Sequence, residues 1–198
     1  MRKQWFKILG LLSAVCLILL EQGCYWRSTK IFPNKTAIIA PQITRIAIFP
    51  FKDSRTNKYS IEKFSVPAVE MQEKIIARLS SNPRYQIIER QELENLLKEQ
   101  KLQTSGAVEN ETAVNMGKVL GAQAILLGSI NQYGRHWFRL PFVKTLITFR
   151  LVEIESARVI CSKEIEANNV NMFYPFRNLS SSLNQSADAI AKVINESK

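Results

Sequence analysis

The chain has 198 residues and a formal net charge of +10, from 27 Lys and Arg residues against 17 Asp and Glu residues. This length predicts one folded domain. With one histidine and three cysteines the chain cannot build a His-based metal cluster, and a catalytic Cys–His pair is disfavoured. We therefore expect no enzyme active site, no metal and no cofactor.

The N-terminus has the pattern of an export signal. Three cations within the first seven residues precede a 13-residue uncharged stretch, Ile8–Leu20, which is shorter than the roughly 20 residues that span a bilayer. The pair Gly23-Cys24 that follows resembles a bacterial lipoprotein cleavage site, which implies a signal peptide over residues 1–23 and lipidation of Cys24. A plain signal peptide and an uncleaved anchor stay open as alternatives.

Export also guides the interpretation of the charge. Cleavage would leave residues 24–198 with a net charge of +8, which suits anionic lipids, wall polymers or nucleic acid. Because an exported protein is separated from the chromosome, no nucleic-acid partner is expected. Residues 24–43 contain Pro33 and Pro41 and no persistent apolar period, so we interpret them as a tether before a domain at 44–198.

The predicted elements of the domain alternate between strands and helices. The first strand, Arg45–Phe51, is nearly continuous in apolar residues and is expected to be buried on both faces. The later predictions are a helix at 65–79, a strand at 85–89, helices at 91–101 and 111–120, strands at 124–133, 144–155 and 158–166, and a helix from Leu179. The order β-α-β-α-α-β-β-β-α predicts an α/β (α+β) domain with a mixed sheet flanked by helices.

Several motifs in the middle of the chain form one series. They are Glu89-Arg90 at a predicted strand end, Glu99-Gln100, Gly117, Leu120-Gly121-Ala122 and Leu127-Gly128-Ser129. This series resembles the CsgG-type family of curli secretion and its lipoprotein relatives. The opening strand with Phe49-Pro50-Phe51 and the predicted hairpin at 147–165 resemble the same family.

The glycines of this series also have structural interpretations. Gly117 would permit close helix packing, and Gly121 would permit a left-handed helix end. Gly128 would let a neighbouring group approach a strand. These residues are expected to determine the fold rather than to form a reaction site.

The resemblance implies a non-catalytic lipoprotein that is anchored to the outer membrane and faces the periplasm. It would bind another cell-envelope protein in an assembly or accessory role, as do relatives that accompany flagella or activate penicillin-binding proteins. The first alternative is a subunit of an oligomeric CsgG-type secretion pore, although the gaps at 134–143 and 167–178 are too short for membrane-spanning hairpins. Homo-oligomerisation stays open. The second alternative, a cell-wall-modifying enzyme, lacks a catalytic constellation.

One predicted loop, residues 134–143, is a candidate contact surface. Arg135, His136, Trp137, Phe138 and Arg139 alternate cations with large apolar groups. Interface anchors and membrane-surface contacts share this composition. We expect these five residues to contact a partner or the membrane; the alternative is that the aromatic rings pack beneath the sheet.

Overall fold

A computed structural model describes residues 25–36, 43–55, 67–99, 110–138, 140–171 and 179–196. Within them, seven strands form one mixed sheet that is accompanied by four helices. The strands are β1 (Tyr25–Thr36), β2 (Arg45–Ile48), β3 (Lys52–Asp53), β4 (Gln86–Ile87), β5 (Ala124–Phe138), β6 (Leu140–Glu153) and β7 (Val159–Asn171). The helices are α1 (Ala68–Ser80), α2 (Arg90–Glu99), α3 (Asn110–Val119) and α4 (Leu179–Glu196). The predicted mixed sheet flanked by helices is confirmed.

The sheet has a parallel half and an antiparallel half. Its order is β1-β7-β6-β5-β2-β4, and β3 also pairs with β5. β2 runs parallel to β4 and β5, and β3 runs parallel to β5. The pairs β5–β6, β6–β7 and β1–β7 are antiparallel. We call β2, β3, β4 and residues 124–130 of β5 the parallel half, and the rest of the sheet the antiparallel half.

The parallel half is buried on both faces, as its continuous apolar sequence predicts. In β2, Ile46 and Ile48 belong to one core, whereas Ala47 and the following Phe49 belong to a second core on the opposite face. The first core contains the apolar faces of α1 and α4, and the second contains buried residues of α2 and α3. The expected α4 face is confirmed, because Leu183, Ala187, Ile190 and Ile194 are all fully buried.

The three motif glycines have the packing roles that the sequence predicts. A Cβ atom on Gly128 would lie 2.1 Å from the Phe51 ring, and one on Gly117 would lie 2.6 Å from Ile154. Gly121 has a φ of +63°, the left-handed conformation that ends a helix, just beyond α3. These glycines therefore allow two close packing contacts and one helix stop.

The interpretation of residues 24–43 as a tether needs correction at residues 25–36, whereas residues 24 and 37–42 lie outside the described residues. Tyr25–Thr36 form β1, an edge strand that pairs with β7 from Tyr25↔Asn171 to Thr36↔Cys161. Pro33 is tolerated because it lies next to a register shift on an edge strand, where a missing N–H group breaks few ladder bonds. Pairing with β7, which is more than 120 residues away in the chain, leaves no local signal in residues 25–36.

The two short gaps also need correction. β5 extends to Phe138 and β6 begins at Leu140, so the predicted loop at 134–143 is mostly an antiparallel hairpin. Residues 167–171 of the second gap belong to β7, and 172–178 lie outside the described residues. Pro141 is compatible with this hairpin because it lies beyond Phe142↔Val170, the last pair of β6 with β7. None of the helices within the described ranges combines the length and hydropathy needed to cross a membrane.

Candidate functional site

The end of the β5–β6 hairpin contains most of the predicted contact residues. Arg135 pairs with Val143, His136 with Phe142, Trp137 with Pro141 and Phe138 with Leu140. Arg135 has an exposed side chain. Arg139 lies outside the described residues. We call residues 135–138 and 140–142 the hairpin end; its backbone is a regular two-stranded ladder.

The beginning of β1 lies at the same end of the sheet. Trp26 pairs with Val170, Val170 with Phe142, and Phe142 with His136, so one row crosses four neighbouring strands. One residue further out, Tyr25 pairs with Asn171 and is level with the hairpin end. Strands in a sheet are spaced about 4.8 Å apart, so β1 and β5 are roughly 14 Å apart at this row. Cys24, the predicted lipidation site, directly precedes Tyr25 but lies outside the described residues.

This end of the sheet carries charge of one sign. The segments 25–29, 134–144 and 167–171, which lie opposite one another in the sheet, contain no Asp or Glu, and they hold four cations: Arg27, Arg135, Arg139 and Lys144. Arg27 is exposed, like Arg135, whereas Lys144 is paired with Glu166. The turn at the opposite end, which joins β6 to β7, instead holds Glu153, Glu155 and Arg158. The two ends of the sheet therefore differ in electrostatic character.

A buried polar cluster fixes α4 over this end of the sheet. The Thr145 hydroxyl of β6 donates to the Ser182 hydroxyl of α4 at 2.6 Å, and both residues are fully buried. The side-chain amides of Asn169 and Gln185 lie 2.6 Å apart. Turning the Asn169 amide puts its oxygen 3.0 Å from the Ser182 N–H. Buried polar groups of this kind specify one helix position because each needs its partner.

The opposite face of the antiparallel half is polar and half-buried. Lys144 forms an ion pair with Glu166 at 2.9 Å, and the Asn168 side chain donates to the same carboxylate at 2.7 Å. The hydrogen bond from Lys144 is the main cause that lowers the pKa of Glu166 below its ordinary value. Asn131 donates to Thr148 at 2.7 Å on the neighbouring strands. The alternation of polar and apolar residues along 144–150 and 162–168 is the sequence signal for this face.

The residues that could support catalysis are far apart. Cys161 is buried in β7, and burial raises the pKa of its thiol. It is paired with Leu151 of β6, whereas His136 is paired with Phe142, so about 30 Å of strand separates the two rows. Among the described residues, no three His, Cys, Asp or Glu side chains are grouped to hold a metal ion.

An open depression of about 440 Å³ lies away from the hairpin end. Glu73, Ile76, Glu89, Gln91 and Glu94 line it. Three of these five side chains are carboxylates, so its lining is acidic in a protein whose net charge is positive. None of the predicted contact residues belongs to this lining.

Comparison with protein families matches residues 35–139 to the model described as "Curli production assembly/transport component CsgG". The chain belongs to the CsgG family. The match includes the motif series from Glu89 to Ser129 and most of the hairpin end. The resemblance stated from the sequence is therefore confirmed. No curated protein gives a significant match to the chain.

Solved structures of low sequence identity share the fold. The lipoprotein GNA1162 from Neisseria meningitidis aligns with a TM-score of 0.53 and 16% identity, over 77% of this CsgG-family chain and 98% of its own. The PelC dodecamer from Paraburkholderia phytofirmans aligns with a TM-score of 0.51 and 9% identity, over 85% and 97% of the two chains.

The structure brings together most of the predicted site. Arg135, His136, Trp137 and Phe138 are consecutive residues of β5, and β1 places the residue after Cys24 at the same end of the sheet. Sequence analysis did not predict this proximity, because it depends on the pairing of β1 with β7. It also missed the buried Thr145–Ser182 contact, for which isolated hydroxyl residues gave no signal.

Proposed function

We propose that this CsgG-family chain is a non-catalytic lipoprotein, anchored through Cys24 in the outer membrane and facing the periplasm, that binds another component of the cell envelope. The observation that carries the proposal is the pairing Tyr25↔Asn171. It puts the chain position next to Cys24 at the sheet end that holds the aromatic and basic hairpin residues. The family match over residues 35–139 supports an envelope role.

Metabolic labelling with palmitate tests the anchor. We expect label on the natural sequence and no label on a Cys24→Ala variant. Cys161→Ala is the matched control, because it removes a cysteine that is buried in β7 and should leave labelling unchanged. Equal labelling of the natural chain and Cys24→Ala would reject the lipoprotein assignment.

Site-specific photo-cross-linking tests the envelope partner. A photoreactive amino acid at position 135 should yield a discrete adduct in whole envelopes. The same amino acid at position 158, exposed at the opposite end of the sheet, is the control and should not yield it. Identical adducts from both positions would show that the hairpin end is not the binding surface.

A subunit of an oligomeric CsgG-type secretion pore is the second candidate. The observation that favours self-association is β1, a 12-residue edge strand on which Ile31 and Phe32 are 41% and 42% exposed. Exposed edge strands with apolar side chains are templates for pairing with another chain. Purified protein in detergent should then have the mass of an oligomer and give unitary currents in planar bilayers. A monomeric mass would exclude this candidate.

A further inference from the structure

No flexible linker separates the proposed anchor at Cys24 from the start of β1 at Tyr25. Tyr25 is already paired with Asn171, and consecutive Cα atoms are about 3.8 Å apart. A lipid on Cys24 would therefore be held within one residue of the sheet. Without the tether that the sequence suggested, this end of the sheet has to lie at the membrane surface. The inference rests on the lipid anchor proposed above.

The residues at this end have the composition that membrane interfaces favour. Five aromatic residues belong to the segments 25–29, 134–144 and 167–171: Tyr25, Trp26, Trp137, Phe138 and Phe142. Tyr and Trp are enriched at the headgroup level of bilayers, where they present both apolar and polar groups. Phe142 is half-buried and shares a row with Trp26 and His136. The aromatic positions therefore lie along the edge that the anchor would hold against the bilayer.

Charge favours an anionic surface over a neutral one. Arg27 and Arg135 are exposed at this end. Glu166 lies just behind it in β7 and is paired with Lys144. Each Lys or Arg close to an anionic bilayer strengthens binding by roughly fivefold. The opposite turn holds Glu153 and Glu155 against one cation, Arg158, so its net charge is negative and the same surface would repel it. The charge distribution therefore also orients the domain.

We propose that the sheet end formed by residues 25–27 and the hairpin end rests on an anionic phospholipid surface, with the short link to Cys24 holding it there. The sheet would then stand on the bilayer. The β6–β7 turn, roughly 40 Å further along the strands, would point into the periplasm. A protein occupant of the same end is the competing outcome.

Quenching of Trp137 fluorescence by brominated lipids tests this orientation in the full lipidated protein. The chain has three tryptophans, Trp5, Trp26 and Trp137, and Trp5 belongs to the predicted signal peptide. Trp26→Phe therefore leaves Trp137 as the only reporter in the cleaved chain. The protein is reconstituted in phosphatidylcholine vesicles, or in vesicles with one part phosphatidylglycerol to three parts phosphatidylcholine. The quencher is phosphatidylcholine brominated near the headgroup end of its acyl chains.

We expect quenching to be about twofold stronger in the vesicles that contain phosphatidylglycerol, and to weaken at high salt because exposed charges are screened. Arg27→Glu with Arg135→Glu should abolish the difference between the two kinds of vesicle. Lys118→Glu with Arg158→Glu changes the net charge equally at exposed positions away from this end, and should preserve the difference. The salt dependence is measured without any charge substitution. It therefore still tests the proposal even when a charge variant fails to fold.

Insertion of a flexible tether distinguishes the contribution of the lipid anchor to Trp137 quenching from the contribution of the cationic sheet end. Twelve Gly and Ser residues between Cys24 and Tyr25 would give the domain roughly 20 Å of reach. Quenching should fall in neutral vesicles and persist in anionic ones. Loss of quenching in both would mean that the sheet end has no affinity for lipid, which overturns the inference.

The outcomes distinguish the two proposals. Absence of palmitate on Cys24 defeats both the anchor and this orientation. If Cys24 is labelled but Trp137 is quenched equally in both kinds of vesicle, or in neither, the anchor is supported and the contact with an anionic surface is rejected. Unquenched Trp137 together with a discrete cross-link from position 135 identifies a protein occupant instead.

Discussion

The parallel and antiparallel halves of the sheet place different demands on the sequence. In the parallel half, successive residues Ile46, Ala47, Ile48 and Phe49 are all at most 2% exposed, because helices cover both faces. In β6 of the antiparallel half, buried Thr145, Ile147 and Phe149 alternate with half-buried residues. In a strand that is covered on both faces, every side chain has to pack in a core. A strand that is covered on one face can carry polar or functional side chains on the other face.

This difference explains where motif and candidate site are found. The glycine motifs belong to the parallel half or to the helix that covers it, where they allow close packing. The cationic and aromatic residues belong to the antiparallel half, whose outer end is not committed to the core. In this protein, the motif glycines serve the packing of the fold, and the candidate contact surface is formed by other residues.

The largest effect is expected from Gly128→Ala in the parallel half. Its new Cβ would lie 2.1 Å from the Phe51 ring, which is 1% exposed between strand and helices. The ring cannot move aside in a packed core, so the free energy of unfolding should fall by about 3 kcal/mol. Urea denaturation measures the change. If this variant were as stable as the natural chain, the parallel half would not be more tightly packed than the antiparallel half.

Phe51→Leu provides the matched test of that mechanism. A smaller side chain should relieve part of the clash, so Gly128→Ala with Phe51→Leu should lose less stability than the sum of the single changes. Side chains in direct contact commonly couple by about 0.5–3 kcal/mol. Simple additivity would mean that the cost of Gly128→Ala comes from somewhere other than the Phe51 contact.

The second effect concerns Asp53 and Arg55, a charged pair beside the parallel half. Arg55 donates to both carboxylate oxygens of Asp53 at 2.8 Å, and its side chain is 1% exposed. Asp53→Asn should cost about 2 kcal/mol, since a buried guanidinium would lose its charged partner. Urea denaturation at neutral pH measures this loss.

The same pair makes a pH prediction. The hydrogen bond from the Arg55 side chain lowers the pKa of Asp53 from its ordinary value. A lowered carboxylate pKa adds stability that is fully present above the unfolded pKa, about 3.9, and is lost as pH falls through the folded pKa. The gap in stability between the natural chain and Asp53→Asn should therefore be constant from pH 7 to about 5 and narrow below about 4. A gap that widens in acid would contradict the pairing.

The smallest effect is expected on the polar face of the antiparallel half. Glu166→Gln removes the 2.9 Å ion pair with Lys144. The Lys144 side chain is 25% exposed and the Glu166 side chain is 18% exposed. Partly exposed pairs contribute little, so the loss should be about 0.5 kcal/mol and should shrink at high salt. Glu164→Gln, half-buried on the same face, is the control. A loss as large as that of Asp53→Asn would remove the distinction between the two halves.

Local patterns determined much of this fold from the sequence alone. The apolar run at β2, the helical spacing of Leu183, Ala187, Ile190 and Ile194, and the glycine motifs predicted elements, burial and close contacts that the structure confirms. Each of these signals lies within a few residues of the feature that it specifies. The family match over residues 35–139 covers β2 and the glycine motifs and ends before α4.

Only the tertiary structure decided the arrangement of the candidate site. Residues 25–36 carry two exposed apolar side chains and a proline, and they become a strand because β7 offers a free edge more than 120 residues later. Residues 135–142 become a hairpin because their partners continue the β5–β6 ladder beyond β7. Backbone pairing between distant segments depends on which edges are left open, and no local period records that. The sequence therefore suggested candidate contact residues, and the sheet brings residues 135–138 to the same end as Tyr25, the position that follows Cys24.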